Sequence, residues 1–287
     1  KSNEWKDLIK IGRTHFQDAV PISLGQEVSA WSKQLKDAED ALIIGLDELC
    51  FLPLGGTAVG TGINCPKDFP EESIKSISDF TNLFFYKSKN NFSLMASHDR
   101  LAQVMGQIKI LASALFKISN DIKILSSGPR SGIYELIIPQ NEPGSSIMPG
   151  KVNPTQCEAL SMVCTQVMGF EYAVSIANAS GTLQMNEYKP LIGFNILTSI
   201  KLLNNAISNF RLKLVEGIQP NPKTIKKNLE NSLMLVTALV PKIGYEKAAE
   251  IANLAFNESI NLKEATIKLG YLTANDFEDA INTNKMI

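Results

Sequence analysis

The sequence predicts an all-α protein: a bundle of long helices followed by a small helical domain. Three observations carry that expectation. Leu101, Val104, Ile108, Leu111, Leu115, Ile118, Ile122 and Leu125 recur in unbroken steps of three and four, a seam of period 3.5 that fits a long helix packed nearly parallel to others. Between Ala159 and Ser180, Glu171 is the only charged residue, so this helix should be surrounded on every face. After Pro220-Asn221-Pro222 the chain breaks into short pieces. The expected domains are therefore 1–219, the helical bundle, and 220–287, the small C-terminal helical domain.

Taken in order, the chain opens without an initiator methionine and inside what reads as a helix, as expected of a fragment or a processed product. Leu24 to Cys50 reads as a long helix, with Lys33, Lys36, Asp37, Glu39 and Asp40 on its solvated side. In Leu52-Pro53-Leu54-Gly55-Gly56-Thr57-Ala58-Val59-Gly60-Thr61-Gly62, Gly55 and Gly60 have the spacing of a phosphate-binding loop. Thr61 stands where that motif needs lysine, so a tight helix-to-helix crossover is expected instead. The long seam ends at Ser126-Ser127-Gly128-Pro129, after roughly 40 Å of helix. Lys189-Pro190 opens another helix running to about Gly217, and short helices are expected over 223–231, 245–257, 262–269 and 274–281.

Composition narrows the function. A formal charge of −1 with no basic tract disfavours nucleic acid as a partner. No uninterrupted apolar run reaches the roughly 18–20 residues of a membrane helix. Cys50, Cys65, Cys157 and Cys164 form no CxxC pair and read as reduced thiols of a cytosolic protein. Cys157 and Cys164 lie seven apart on one face, where packing is the expected role. No metal site is expected.

Two constellations carry chemistry. Residues 144–154, Gly-Ser-Ser-Ile-Met-Pro-Gly-Lys-Val-Asn-Pro, cannot pack as regular structure. The hydroxyls of Ser145 and Ser146, the cation of Lys151 and the amide of Asn153 suit a lid that closes on a small anion. Glu158 enters the uncharged helix that follows. It reads either as a first-turn acid favoured by the helix dipole or as a partner that orients a histidine. The second constellation, Gly12-Arg13-Thr14-His15-Phe16-Gln17-Asp18-Ala19-Val20-Pro21, holds one of the two histidines and is expected where a helix stops. There His15 either caps the helix or moves a proton near neutral pH.

These segments, with Thr155-Gln156-Cys157-Glu158-Ala159-Leu160, the glycine-rich crossover, Ser232–Leu239, Ile243–Ala249 and Leu269–Thr273, resemble class II fumarases of the fumarase/aspartase superfamily. The resemblance implies a fold of long central helices associating into a tetramer, with active sites shared among three subunits. It implies that Ser145 is the base, that Thr14, Ser146, Lys151 and Asn153 bind a malate or fumarate carboxylate, and that Glu158 pairs with His15. No cofactor is implied, and a cytoplasmic or mitochondrial-matrix location is. The superfamily's two upstream substrate-binding motifs and its N-terminal domain are missing, and Thr182-Leu183-Gln184-Met185-Asn186 departs from the family pattern. Two alternatives stay open: an aspartate ammonia-lyase, and a non-catalytic structural role of the kind relatives fill as lens proteins.

Overall fold

The structure, a computed structural model, describes residues 1–283 and 286–287. The chain divides into two compact units, one made of 1–32, 124–137 and 219–287, the other of 33–123 and 138–218. The expected helical character holds almost throughout. The correction lies at the start of the chain, where no helix forms. After a few turns, β1 (Ile9–Thr14) and β2 (Gln17–Ser23) pair as an antiparallel hairpin. β-Branched Ile9, Ile11, Val20 and Ile22 favour extended backbone, and Ile11 is fully buried. His15 therefore sits at a hairpin tip and caps no helix.

α1 (Leu24–Leu49) starts directly after the hairpin. Ser23 Oγ accepts the Gln26 N–H at 3.0 Å while Gln26 Oε1 accepts the Ser23 N–H at 2.8 Å. This reciprocal box satisfies helix-end donors that would otherwise be orphaned. The glycine-rich segment forms an irregular connection beyond β3 (Phe51–Leu52), leading to α2 (Phe69–Thr81), β4 (Tyr86–Lys87) and α3 (Asn91–Ala96). β3 and β4 make a short parallel pair.

α4 (Asp99–Leu125) carries the expected seam, with Val104, Ile108, Leu115, Ile118, Ile122 and Leu125 all buried. β5 (Leu136–Ile137) precedes the candidate loop, and α5 (Thr155–Ala179) follows it. α5 buries one stripe, Cys157, Leu160, Cys164, Val167, Val174 and Ala177. α6 (Lys189–Phe210) packs along α5 and continues into a π-helical turn at Arg211–Val215. Glu171, the one charge of α5 beyond its first turn, is paired with Lys109 of α4 at 3.0 Å. By length and composition α4 and α5 could each cross a membrane, but this ion pair joins them and both bury a stripe as bundle helices do. Burial of α5 is one-sided within the chain: Met162, Tyr172 and Ile176 are exposed, as are Phe194, Leu197 and Ile200 of α6.

The departure at Thr182–Asn186 leaves the packing intact. Asn186 is fully buried, and its side chain donates to the Ala177 and Asn178 carbonyls, each at 3.1 Å. His98 Nε2 lies 3.2 Å from the Asn186 carbonyl oxygen, a structural histidine.

In the first unit, β6 (Gln219–Pro220) pairs with β5 and leads into α7 (Pro222–Asn231). A 3-10 stretch at Leu233–Leu239 follows, then α8 (Val240–Ile243), α9 (Tyr245–Glu258), α10 (Leu262–Lys268) and α11 (Ala274–Ala280). Leu235, Val236, Leu239, Ala248, Ile251, Ala255, Leu262, Ala265 and Phe277 form one core among themselves. We propose that 220–287 is the C-terminal domain on the strength of that core, although the compact unit also takes in 1–32 and 124–137.

Candidate active site

The loop at 144–154 is irregular, as its two prolines and two glycines require. Its two limbs approach closely at the base: a Cβ on Gly144 would lie 1.4 Å from the Lys151 carbonyl oxygen, so only glycine fits. Asn153 closes the same neck by donating its side-chain amide to the Gly144 carbonyl. Ser145 lies between the limbs, half-exposed. Its Oγ accepts the backbone N–H groups of Ile147 at 3.2 Å and Met148 at 3.1 Å. Ser146 and Lys151 are exposed, and Asn153 is half-buried.

Glu158 lies in the first turn of α5 with its carboxylate exposed. That turn is fixed from behind. Ser119 of α4 donates to the Cys157 carbonyl at 2.7 Å and lies 2.9 Å from Ser161 Oγ. Cys157 and Cys164 are fully buried, and burial pushes their thiols up to about 12 and about 11. Both stay protonated at neutral pH, in line with a packing role.

Thr14 and His15 belong to the first compact unit, whereas Ser145, Ser146, Lys151, Asn153 and Glu158 belong to the second. The hairpin pairs Thr14 with Gln17, so His15 and Phe16 make a two-residue turn with φ of 53° and 61°. Positive φ at both central residues is the geometry that matches strand twist, but it is uncommon without glycine or asparagine. Thr14, His15 and Phe16 are all exposed.

Beneath the turn lies a network that the sequence did not announce. Glu135, fully buried, accepts the Arg13 guanidinium through both oxygens, at 3.1 and 2.8 Å. Lys10 Nζ, 1% exposed, is 3.0 Å from Glu135 and 2.9 Å from Glu27. Asn228 of α7 adds a bond to Glu135 at 3.1 Å. Burial opposes charge on both Glu135 and Arg13, but the Arg13 fork, with Lys10 and Asn228, outweighs it. Glu135 is held below the usual carboxylate range and Arg13 above its ordinary value. One signal was available: Glu135 is the lone charge in Ile133-Tyr134-Glu135-Leu136-Ile137-Ile138, and a carboxylate in an apolar segment needs a partner.

A pocket of about 450 Å³, lined by Glu48, Phe51, Lys89, Leu94, Arg100 and Gln103 among others, contains none of the residues singled out from the sequence.

A family model described as "Lyase" matches residues 1–169, and one described as "Fumarase C C-terminus" matches 235–287. A fumarate hydratase class II from Prochlorococcus marinus subsp. pastoris is 96% identical over 287 residues, which are 100% of this chain and 62% of that protein. A class II fumarase structure from Schistosoma mansoni superposes with a TM-score of 0.96 at 43% identity, covering 99% of this chain and 63% of its own. The fumarate lyase:delta crystallin of Brucella melitensis bound to cobalt gives 0.95 at 39% identity, covering 99% and 62%. The chain thus spans about three fifths of the length of these relatives. With one lyase model over more than half of its length and a fumarase model closing it, the chain belongs to the lyase family, in its class II fumarase branch.

Proposed function

We propose that this chain is the larger part of a fumarate hydratase, which removes water from (S)-malate to give fumarate, and the reverse, in the tricarboxylic acid cycle. The observation that best supports this reading is Ser145 with two backbone N–H groups on its oxygen. A serine hydroxyl is a poor base unless its alkoxide is stabilised, and two fixed donors in a loop that can exclude water favour that form.

In this scheme Ser145 Oγ takes the proton from the carbon next to a malate carboxylate. The electron pair moves into that carboxylate and gives an aci-carboxylate dianion. Lys151, Asn153 and Ser146 offer charge and hydrogen bonds to the oxygens where negative charge develops. The adjacent hydroxyl then leaves from the opposite face and takes a proton from an acid at or near His15, departing as water. Glu158 orients and charges His15, and Thr14 holds the second carboxylate. No metal or organic cofactor is invoked.

The resemblance to class II fumarases implies sites shared among subunits. We take the assembly to be a cytoplasmic homotetramer, with α5 and α6 at its core because their outer faces are apolar and exposed in the single chain. The test is malate-dependent fumarate formation, followed by ultraviolet absorbance on the full-length protein, with aspartate run in parallel. Turnover of malate alone is expected. Ammonia release from aspartate without malate dehydration would make the protein an aspartate ammonia-lyase, and silence on both would leave a structural role.

A further inference from the structure

The hairpin tip at Thr14-His15-Phe16 is exposed on all three residues, and its turn holds two non-glycine residues at positive φ. Such a conformation persists only where the surrounding structure over-determines it. The ladder supplies part of the constraint, but it is irregular between Ile11 and Arg13, just below the tip. α7 packs on β1 and the 3-10 stretch on β2, and the constraint nearest the tip is the side chain of Arg13, one residue before Thr14.

We propose that Glu135 is a positioning residue: through the two-pronged Arg13 contact it sets the angle at which the hairpin presents Thr14 and His15 to substrate. This rests on the function proposed above. Lys10 and Arg13 lie three apart, so a regular strand would send them to opposite faces. The irregularity adds local twist, and both reach Glu135. Glu135 comes from a segment 122 residues away, and it is itself held by Lys10 and by Asn228. Lys10 is held in turn by Glu27. Arg13 Nε also lies 3.8 Å from Asp18, so two cations serve three carboxylates and every member has a partner.

Stability alone does not call for this arrangement, since apolar residues of similar volume often serve as well as a buried ion pair. Its particular contribution is direction. A guanidinium held at both prongs has a fixed plane, which a single-point ammonium lacks. The imidazole of His15 lies on the order of 8 Å beyond Arg13 along the hairpin, so a tilt of about 10° at Arg13 would move it by roughly 1.5 Å. Misplacement on the order of 1 Å can cost about a hundredfold in rate.

The experiment uses the full-length protein and the substitutions Arg13→Lys, Glu135→Asp and His15→Asn, singly and with Arg13→Lys combined with His15→Asn. Hydrogen exchange over residues 9–23 and malate turnover are both measured. Arg13→Lys keeps the charge and loses the fork. It should raise exchange at the turn about tenfold, leave exchange in α5 unchanged, and lower kcat about tenfold or more. Glu135→Asp, which keeps the carboxylate, should lie between this variant and wild type. In the His15→Asn background, Arg13→Lys should cost less than about threefold, because it acts through a group already lost. Equal losses in both backgrounds, or unchanged exchange at the turn, would overturn the positioning role. Silence of the unmodified protein on malate overturns the proposed function and this role with it, whereas activity with additive losses overturns the role alone.

Discussion

Ser145 and Glu135 are both oxygen acceptors held by fixed donors, but they face different tasks. Ser145 takes two backbone N–H groups in a half-exposed loop, a setting that can change when substrate arrives. Ser145→Ala removes the acceptor without disturbing the Gly144–Lys151 neck. It should lower malate turnover by several orders of magnitude while leaving the sedimentation of the assembly unchanged. Wild-type-like turnover would remove Ser145 from the base role. Glu135 is fully buried and permanently paired. Its carboxyl is depressed in the folded state, so its contribution is fully present above the unfolded value of about 4.3 and is lost as pH falls through its folded value. Glu135→Gln breaks a buried network and should cost about 3–5 kcal/mol at pH 7. In thermal melts its deficit against wild type should narrow below about pH 4. A constant deficit down to pH 2 would contradict the depressed carboxyl.

At the scale of elements, the junction between β2 and α1 depends on the Ser23–Gln26 box. Ser23→Ala should destabilise the protein by about 1 kcal/mol, read as a shift of the denaturant midpoint with an unchanged slope. The long helices were legible in the sequence because heptad seams survive whatever packs on them: residues 24–49, 99–125, 155–179 and 189–210 fall where apolar spacing placed them. The first strands were not legible. Ile9-Lys10-Ile11 is too short to separate period two from a helical turn, and the His15-Phe16 turn lacks the glycine or asparagine that marks such hairpins. The loop at 144–154 was legible as irregular structure from its prolines and glycines. The support beneath Thr14 was missed because Arg13 and Glu135 are brought together only by the tertiary fold.

For the whole molecule, the apolar outer faces of α5 and α6 predict assembly. Leu197, 69% exposed in the single chain, offers a direct probe. In the full-length protein Leu197→Lys should lower the sedimenting mass while far-ultraviolet circular dichroism keeps its helical signal. An unchanged mass would place the subunit contact elsewhere. The composition of the first compact unit from 1–32, 124–137 and 219–287 bears on how the polypeptide emerges from the ribosome. The hairpin is translated long before Glu135 and Asn228, so Lys10 and Arg13 begin as solvated cations on an unsupported ribbon. Closing loops of this length costs entropy before any contact returns it, and such pairings form late. A ribosome paused before residue 135 would therefore carry a chain in which α1 can already have formed while the hairpin still awaits Glu135.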